Sequence, residues 1–231
     1  MRMGKTIPKM QTLDRGSIDY KVELLRKSIH FCSLSIPVIY YFITKELAVY
    51  LLVPLTAFAI ILDLLRYFHP SISRLFYNIF GNMLRAHEKN HDKKTLNGAT
   101  FVLISALLTV LIFPKVIGVT AFAILIIGDI FAALIGRRFG KHKFLKKSLE
   151  GTTAFFITAC IVVLLSPKVE GLFLEYIIGM IGAGVGAIAE NLAYGFADDN
   201  LVIPISIGFT MWLLYWLLLP GLPLILSGVP N

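Results

Sequence analysis

Seven long apolar runs dominate this sequence and restrict the architectures open to it. Each is about 14–20 residues long, and a helix needs roughly 20 residues, within a range of about 17–25, to cross a bilayer. The hydrophobic fraction of 57% and the mean hydropathy of +0.77 are too high for a soluble domain. We therefore predict an all-α, polytopic membrane protein with about seven transmembrane helices. The runs cover residues 29–43, 47–65, 99–113, 116–135, 152–165, 172–189 and 202–219.

The chain length fits one domain. We predict a basic cytoplasmic segment over residues 1–20 and a single integral membrane catalytic domain over 21–231. Cys32 and Cys160 lie in separate apolar runs without CxxC or Cys/His spacing, so we expect both to be packing residues. No short apolar stretch with a small-residue cleavage site begins the chain, so we expect the start to belong to the mature protein.

Positive charge is divided unevenly between the two sides of the predicted bundle. The chain has 22 Lys and Arg residues and a formal net charge of +8. Only Lys45, Lys115 and Lys168 lie in the short turns, and the other 19 lie in the long polar segments. The positive-inside rule therefore predicts a cytoplasmic N-terminus and an external C-terminus. The same distribution argues against nucleic acid as a partner, and we expect a multi-pass protein of a prokaryotic cell membrane.

Asp129 is the most unusual residue within the apolar runs. Together with Gly128 it interrupts the fourth run, where an unpaired carboxylate costs roughly 2.5–3.5 kcal/mol on insertion scales. A partner, a cation or a water-filled cavity is needed to keep it there, although a helix–helix hydrogen bond is the simpler alternative. Asp63 and Glu190 end other runs on the same cytoplasmic side, and Asp63 has the alternative of an ion pair with Arg66.

A loop rich in glycine and cations follows Asp129. Gly136 and Gly140 allow the backbone to approach a ligand closely. The sequence Ser-Leu-Glu-Gly-Thr at 148–152 begins the fifth run, where free N–H groups at a helix N-terminus bind anions, and Glu150 can cap the loop or hold a cation. A basic loop beside a membrane often only contacts acidic lipid, but the nearby acids favour phosphate binding. Its cations are Arg137, Arg138, Lys141, Lys143, Lys146 and Lys147.

A second acidic group, Asp198-Asp199-Asn200, begins the seventh run. Oxygen ligands at a helix start suit Mg²⁺, which prefers a few carboxylates together with water and substrate phosphate. The alternative is an N-cap and turn, a position that Asp and Asn favour. Asn200 can serve as the cap while the two aspartates bind the metal.

Residues 71–85 form a different kind of element. Their apolar side chains recur at helical spacing, and Arg74, Asn78, Asn82 and Arg85 take the opposite face. This pattern predicts a helix in the cytoplasmic membrane interface. It is either a membrane anchor or the border of a lipid access route.

Two polar patches complete the cytoplasmic side. Glu23, Arg26, Lys27 and His30 lie at the start of the first run, and Glu88 lies in the polar segment before the third. A single histidine at such a boundary is either a hydrogen-bonded interface residue or a base. We include Arg26, Lys27, His30 and Glu88 among the candidate cofactor-binding residues.

These motifs together resemble the family of dolichol kinases, phytol kinases and CTP-dependent diacylglycerol kinases. The resemblance covers residues from about 20 to 215, and its most specific parts are Gly-Asp at 128–129, Lys-Ser-Leu-Glu-Gly at 147–151 and Asp-Asp-Asn-Leu at 198–201. Ser148 stands where such sequences often have Thr, which keeps the hydroxyl. The resemblance implies an integral membrane enzyme that uses CTP and a divalent metal, Mg²⁺, to phosphorylate a lipid alcohol.

In this hypothesis the acids hold Mg²⁺ and the basic loop neutralises the phosphates, because phosphoryl transfer depends mostly on positioning and charge neutralisation. The predicted metal ligands are Asp129, Asp198 and Asp199. The predicted catalytic residues are Asp129, Lys147, Glu150 and Glu190. The predicted cofactor-binding residues are Gly128, Gly136, Arg137, Arg138, Gly140, Lys141, Lys146, Ser148, Gly151, Thr152 and Asn200, with Arg26, Lys27, His30 and Glu88.

Two other functions remain open. The central stretch also resembles phosphatidate cytidylyltransferases, but their Ser-Pro-Lys-Lys-Thr-x-Glu-Gly motif and Gly-His-Gly-Gly region are missing from this sequence. A transporter of an anionic solute would use similar charges, yet it predicts paired broken helices in two repeated halves, and we find no such repeat. The residues alone do not identify the lipid alcohol, which can be a polyprenol, a phytol-like prenol or diacylglycerol. They also do not distinguish CTP from ATP as the donor. Small residues at 179–186 allow close packing within one chain or in an oligomer.

Overall fold

The computed structural model describes residues 19–81, 84, 95–193 and 198–230. It confirms an all-α polytopic membrane protein, in which four of the described helices are long and apolar enough to cross a bilayer and two more are shorter and apolar. In chain order the described elements are α1 (Tyr20–Cys32), α2 (Ser35–Phe42), α3 (Lys45–Phe68), α4 (Pro70–Phe80), α5 (Gly98–Ile112), α6 (Lys115–Phe139), β1 (Lys143–Phe144), β2 (Lys147–Ser148), α7 (Leu149–Leu165), α8 (Phe173–Leu192) and α9 (Asp199–Leu218).

The first predicted span, 29–43, is not one helix. The chain turns at Ser33 and Leu34 between α1 and α2. Pro37 has no N–H to donate, so the carbonyl of Ser33 lacks its usual helical hydrogen bond from the residue four positions later. The N–H of Ile36 bonds that carbonyl instead, at 3.0 Å, in a tighter turn. The other six predicted spans each coincide with one continuous helix, from α3 and α5 through α9.

Helix α6 forms the centre of the bundle. In the most apolar 18-residue stretch of α6, 78% of the residues are buried, whereas the buried share of the corresponding stretches of α3, α8 and α9 is 22–44%. It packs against α1, α2, α5, α7, α8 and α9. Close approach of α8 to α7 and α9 depends on glycine, because a Cβ on Gly179 would lie 2.5 Å from Val163 and one on Gly186 would lie 2.6 Å from Ile207. These small residues therefore pack within the chain.

A helix, α4, covers part of the segment 71–85, and its location in the membrane interface stays a prediction. Its described residues, Pro70–Phe80, include no buried side chain, and Leu75, Ile79 and Phe80 are exposed. Residues 82, 83 and 85 of the predicted range lie outside the described residues. The Arg66 guanidinium lies 4.7 Å from the Phe76 ring centre and 2.9 Å from Asp63 Oδ1, so the Asp63–Arg66 pair expected from the sequence is present.

A two-stranded hairpin, β1–β2, connects α6 to α7. Phe144 pairs with Lys147, and Leu145 turns the chain with a φ of 50°, which is unusual for a residue other than glycine. The sequence prediction had treated this stretch only as a loop. The hairpin carries Lys147 to the end of the bundle where α6 finishes.

Candidate functional site

Asp129 lies in the middle of a buried ionic cluster. Its side chain forms an ion pair with Lys27 of α1, and the two residues are only 3% and 2% exposed. His30, one turn further along α1, places Nε2 3.4 Å from the same carboxylate oxygen. Residues three apart on a helix share a face, so α1 presents Lys27 and His30 together to α6. The predicted functional acid thus has a cationic partner 102 residues earlier in the chain.

A second ionic group joins the start of α1 to the end of α6. Buried Glu23 accepts hydrogen bonds from Arg26, with Nη2 2.6 Å from Oε1 and Nε 3.2 Å from Oε2, and Arg137 Nη2 lies 3.4 Å from Oε2. Burial alone would raise the pKa of Glu23, but the Arg26 hydrogen bond and the charges of Arg26, Lys27 and Arg137 hold that pKa below its ordinary value. Glu23 therefore fixes two of the predicted cofactor-binding arginines.

Lys147 connects the hairpin with α8 and α9. Its ammonium group lies 2.5 Å from Glu190 Oε1 and 3.8 Å from Asp199 Oδ2. Burial opposes its charge, yet the carboxylates of Glu190, Asp199 and Asp129 raise the pKa of Lys147 above its ordinary value. The charged form of Lys147 is therefore favoured by three acids that come from three different helices, α6, α8 and α9.

Asn191 holds this hairpin in position, a role that was not predicted from the sequence. It is 0% exposed, and its Oδ1 accepts hydrogen bonds from the backbone N–H groups of Lys146 at 2.8 Å and Lys147 at 3.1 Å. Its Nδ2 donates to Thr152 Oγ1 at 2.7 Å. An Asn directly after the acidic Glu190 was the available signal, but the sequence did not show which groups it would contact.

The glycines of the loop bring α6 and α7 into contact. Ser148 caps α7 by accepting the Gly151 N–H at 3.2 Å. A Cβ on Gly136 would lie 3.0 Å from Ser148 Oγ, one on Gly140 would lie 2.9 Å from Ser148 Cβ, and one on Gly151 would lie 2.9 Å from the Ala132 carbonyl oxygen. Gly128 is similar, because a Cβ there would lie 2.7 Å from the Phe155 ring. All four glycines therefore have a packing role, and their role in binding phosphate stays a prediction.

Several predicted residues lie away from these ionic contacts. Glu150 accepts from His142 Nδ1 at 2.7 Å and from its backbone N–H at 3.2 Å, which fixes the hairpin from its exposed side. Asp198, and not Asn200 as expected, caps α9: it accepts from the N–H and the side-chain amide of Asn200, at 3.0 and 2.8 Å.

The remaining basic residues make other contacts. Lys146 Nζ donates to the Leu192 carbonyl at 3.1 Å, and the Arg138 guanidinium lies 5.4 Å from the Phe139 ring centre. Lys141 is exposed on the same loop. Glu88 lies outside the described residues.

The acids of the cluster suit a divalent cation. If ionised, Asp129, Glu190 and Asp199 supply three negative charges against the two ammonium groups of Lys27 and Lys147. Asp129 and Asp199 also repel each other as like charges, and a cation between them would offset that repulsion. Within the described ranges no group of three or more His, Cys, Asp or Glu could hold a metal by itself. Magnesium bound with a nucleotide commonly uses only one or two protein carboxylates, so this donor set fits.

Comparison with known proteins gives three relatives and neither a matching family model nor a matching solved structure. An uncharacterized protein of Rickettsia prowazekii is 30% identical over 189 residues, which cover 81% of this chain and 92% of the relative. CTP-dependent diacylglycerol kinase 1 of Schizosaccharomyces pombe is 31% identical over 165 residues, covering 66% and 74%. An uncharacterized protein of Methanocaldococcus jannaschii is 30% identical over 145 residues, covering 62% and 68%.

Proposed function

Since this chain belongs to the same lipid kinase family as CTP-dependent diacylglycerol kinase 1 of Schizosaccharomyces pombe, we propose that it transfers the γ-phosphoryl group of CTP to the hydroxyl of a membrane lipid alcohol. The observation that carries this proposal is the buried cluster in which Lys147 contacts Glu190 and Asp199 while Asp129 pairs with Lys27. Such charges at the end of an apolar bundle can receive a polar nucleotide from water and a hydroxyl from the bilayer.

The residues of the cluster have complementary roles in this proposal. Asp129 and Asp199, with Asp198, hold Mg²⁺, which when bound would neutralise charge on the triphosphate. Lys147 and Arg138 bind phosphate oxygens, together with the backbone from Gly136 to Gly140. Glu150 keeps the hairpin in place through His142.

The transfer itself needs a base near the lipid hydroxyl. The hydroxyl oxygen forms a bond to the γ-phosphorus, the bond from that phosphorus to the leaving CDP oxygen breaks, and the hydroxyl proton passes to a carboxylate or imidazole. The candidates, in falling order, are Asp129, Glu190, Glu88 and His30. Among these candidates, Glu190 lies beside Lys147, with 2.5 Å between its Oε1 and the ammonium nitrogen.

Diacylglycerol is the first acceptor to test because the named relative is a diacylglycerol kinase. A polyprenol such as dolichol and a phytol-like prenol are the comparison acceptors. Their hydroxyls offer the same reacting atom on different apolar tails.

The deciding experiment supplies the purified protein in lipid nanodiscs with γ-labelled CTP or ATP and each alcohol in turn. We expect labelled phospholipid and CDP, with Mg²⁺ required and diacylglycerol preferred. If phosphatidate is supplied instead, formation of pyrophosphate and an unlabelled CDP-lipid would support a cytidylyltransferase. Uptake of an anionic solute into vesicles without CTP consumption would support a transporter.

A further inference from the structure

We propose that Lys27 and Lys147 are internal counter-ions that compete with the divalent cation, so that the protein binds metal and nucleotide triphosphate as a coupled pair. This inference rests on the proposed function, because it concerns the same carboxylates. It adds a coupling of affinities that neither the family relationship nor the sequence supplies: the metal alone binds weakly, and the triphosphate makes its binding strong.

The contacts of the two lysines are the basis of this proposal. Lys27 donates to Asp129 Oδ2, and Lys147 lies within 2.5 Å of Glu190 and 3.8 Å of Asp199 Oδ2. Asp129 and Asp199 are the acids that we assign to Mg²⁺. A cation that approaches them therefore meets oxygens that already contact an ammonium group.

Burial makes this competition costly for a cation alone. The Lys27 side chain is 2% exposed, so an ammonium group separated from Asp129 has little water to compensate it. Lys147 is less restricted, at 26% exposed. Metal binding without a nucleotide would leave one or both ammonium groups beside a second cation, an arrangement in which like charges repel.

The triphosphate removes this penalty. Its oxygens can accept hydrogen bonds from the displaced lysines while also contacting the metal. Each ligand then favours the other, and linkage requires the effect to be equal in both directions. We expect a coupling of roughly 5- to 150-fold, the range typical of two linked binding events.

Other lysines of the chain provide a matched control. Lys45 donates to the Leu111 carbonyl at 2.9 Å, near the start of α6 and therefore at the other end of that helix from the cluster. Lys45→Gln removes one positive charge of the same kind without touching a carboxylate of the site. Any change in Mn²⁺ binding by Lys45→Gln therefore measures the effect of losing one positive charge away from the site.

The test measures Mn²⁺ binding by electron paramagnetic resonance to the full-length protein in nanodiscs, first without nucleotide. We expect Lys147→Gln to bind Mn²⁺ about 10-fold more tightly than the wild type, and Lys45→Gln to match the wild type. Retention of labelled CTP, measured by equilibrium dialysis, should rise with Mn²⁺ in the wild type and depend less on Mn²⁺ in Lys147→Gln. Lys27→Gln should behave in the same way if it elutes as a folded species on size exclusion. Lys147→Gln, with its partly exposed side chain, is the decisive variant.

The outcomes separate this proposal from the proposed function. If the wild type phosphorylates lipid but Lys147→Gln binds Mn²⁺ no more tightly, the counter-ion role is wrong and the kinase assignment stands. Equal retention of CTP by the wild type with and without Mn²⁺ also overturns the coupling. If the wild type binds neither Mn²⁺ nor CTP and phosphorylates no alcohol, both proposals fail.

Discussion

We expect the buried Lys27–Asp129 pair to have separable effects on stability and on phosphorylation. Removing one partner of a buried ion pair leaves an uncompensated charge and typically destabilises a protein by about 3–5 kcal/mol. Replacing both partners with apolar side chains of similar volume is often neutral or stabilising. Both side chains are almost fully buried, so this pair falls within that rule.

We therefore predict different results for single and double substitutions. Asp129→Asn should lower phosphorylation by at least about 100-fold and lower the thermal unfolding temperature, because Lys27 loses its partner. The double variant Lys27→Met with Asp129→Leu should recover thermal stability without recovering phosphorylation. Unfolding in detergent and transfer from labelled CTP provide the two measurements. Wild-type activity in the double variant would remove Asp129 from the mechanism.

Glu23 acts through the arginines that it fixes. We predict that Glu23→Gln raises the KM for CTP by roughly 10-fold, since a lost charge-assisted hydrogen bond is worth about 1.5–3 kcal/mol, while kcat changes less. Glu46→Gln, at the start of α3, is the control.

Because the pKa of Glu23 is held below its ordinary 4.5, its contribution to stability is present above that pH and is lost as the pH falls further. Steady-state kinetics and melting curves at falling pH test both points, and an equal fall in kcat and in kcat/KM would contradict a positioning role.

At the scale of an element, the β1–β2 hairpin depends on a residue outside it. Asn191 on α8 accepts two backbone N–H groups of the hairpin and donates to Thr152 on α7. A buried N–H group that loses its acceptor costs about 1–3 kcal/mol. The position of Lys147 among the acids therefore depends in part on this buried amide.

Asn191→Leu should release the hairpin. We predict faster tryptic cleavage after Lys146 and Lys147 in the variant, together with loss of CTP retention, because Lys147 no longer stays beside Glu190. Thr152→Val is the control: it removes the acceptor of the Asn191 amide N–H and the hydroxyl bond to the Ser148 carbonyl, but it leaves both hydrogen bonds from the hairpin backbone to Asn191. Cleavage that is equally slow in both variants would show that Asn191 does not hold the hairpin.

On the scale of the whole molecule, the two ends of the bundle use their charges differently. Near the C-terminal end of α6, Lys27 and Lys147 contact carboxylates, although Lys146 donates to the Leu192 carbonyl. Elsewhere Lys45, Lys115 and Lys168 donate to backbone carbonyls, including those of Leu111 at 2.9 Å, Ile43 at 2.6 Å and Ser166 at 2.8 Å. Their charges are therefore used to complete turns, which need hydrogen-bond donors for the last carbonyls of a helix.

The sequence predicted the parts of this molecule that depend on local pattern. Apolar length marked six continuous helices, and the cost of a charge in lipid singled out Asp129. The break before Pro37 and the partner of Asp129 were not predicted, because each depends on a local backbone bond or on contacts between distant segments. Hairpin residues such as Leu145 follow no apolar period, so their pairing was missed as well.

Orientation in the membrane is the remaining whole-molecule prediction. The excess of cations on the side of the hairpin predicts that the hairpin is cytoplasmic and that the α7–α8 turn is external. In a Cys32→Ser, Cys160→Ala background, Lys143→Cys and Glu170→Cys each place one thiol at an exposed position. A membrane-impermeant maleimide should label Glu170→Cys in right-side-out vesicles and Lys143→Cys only in inside-out vesicles. The reverse pattern would place the ionic cluster on the outer face, away from cytoplasmic nucleotide, and the CTP-dependent function would then lose its physical basis.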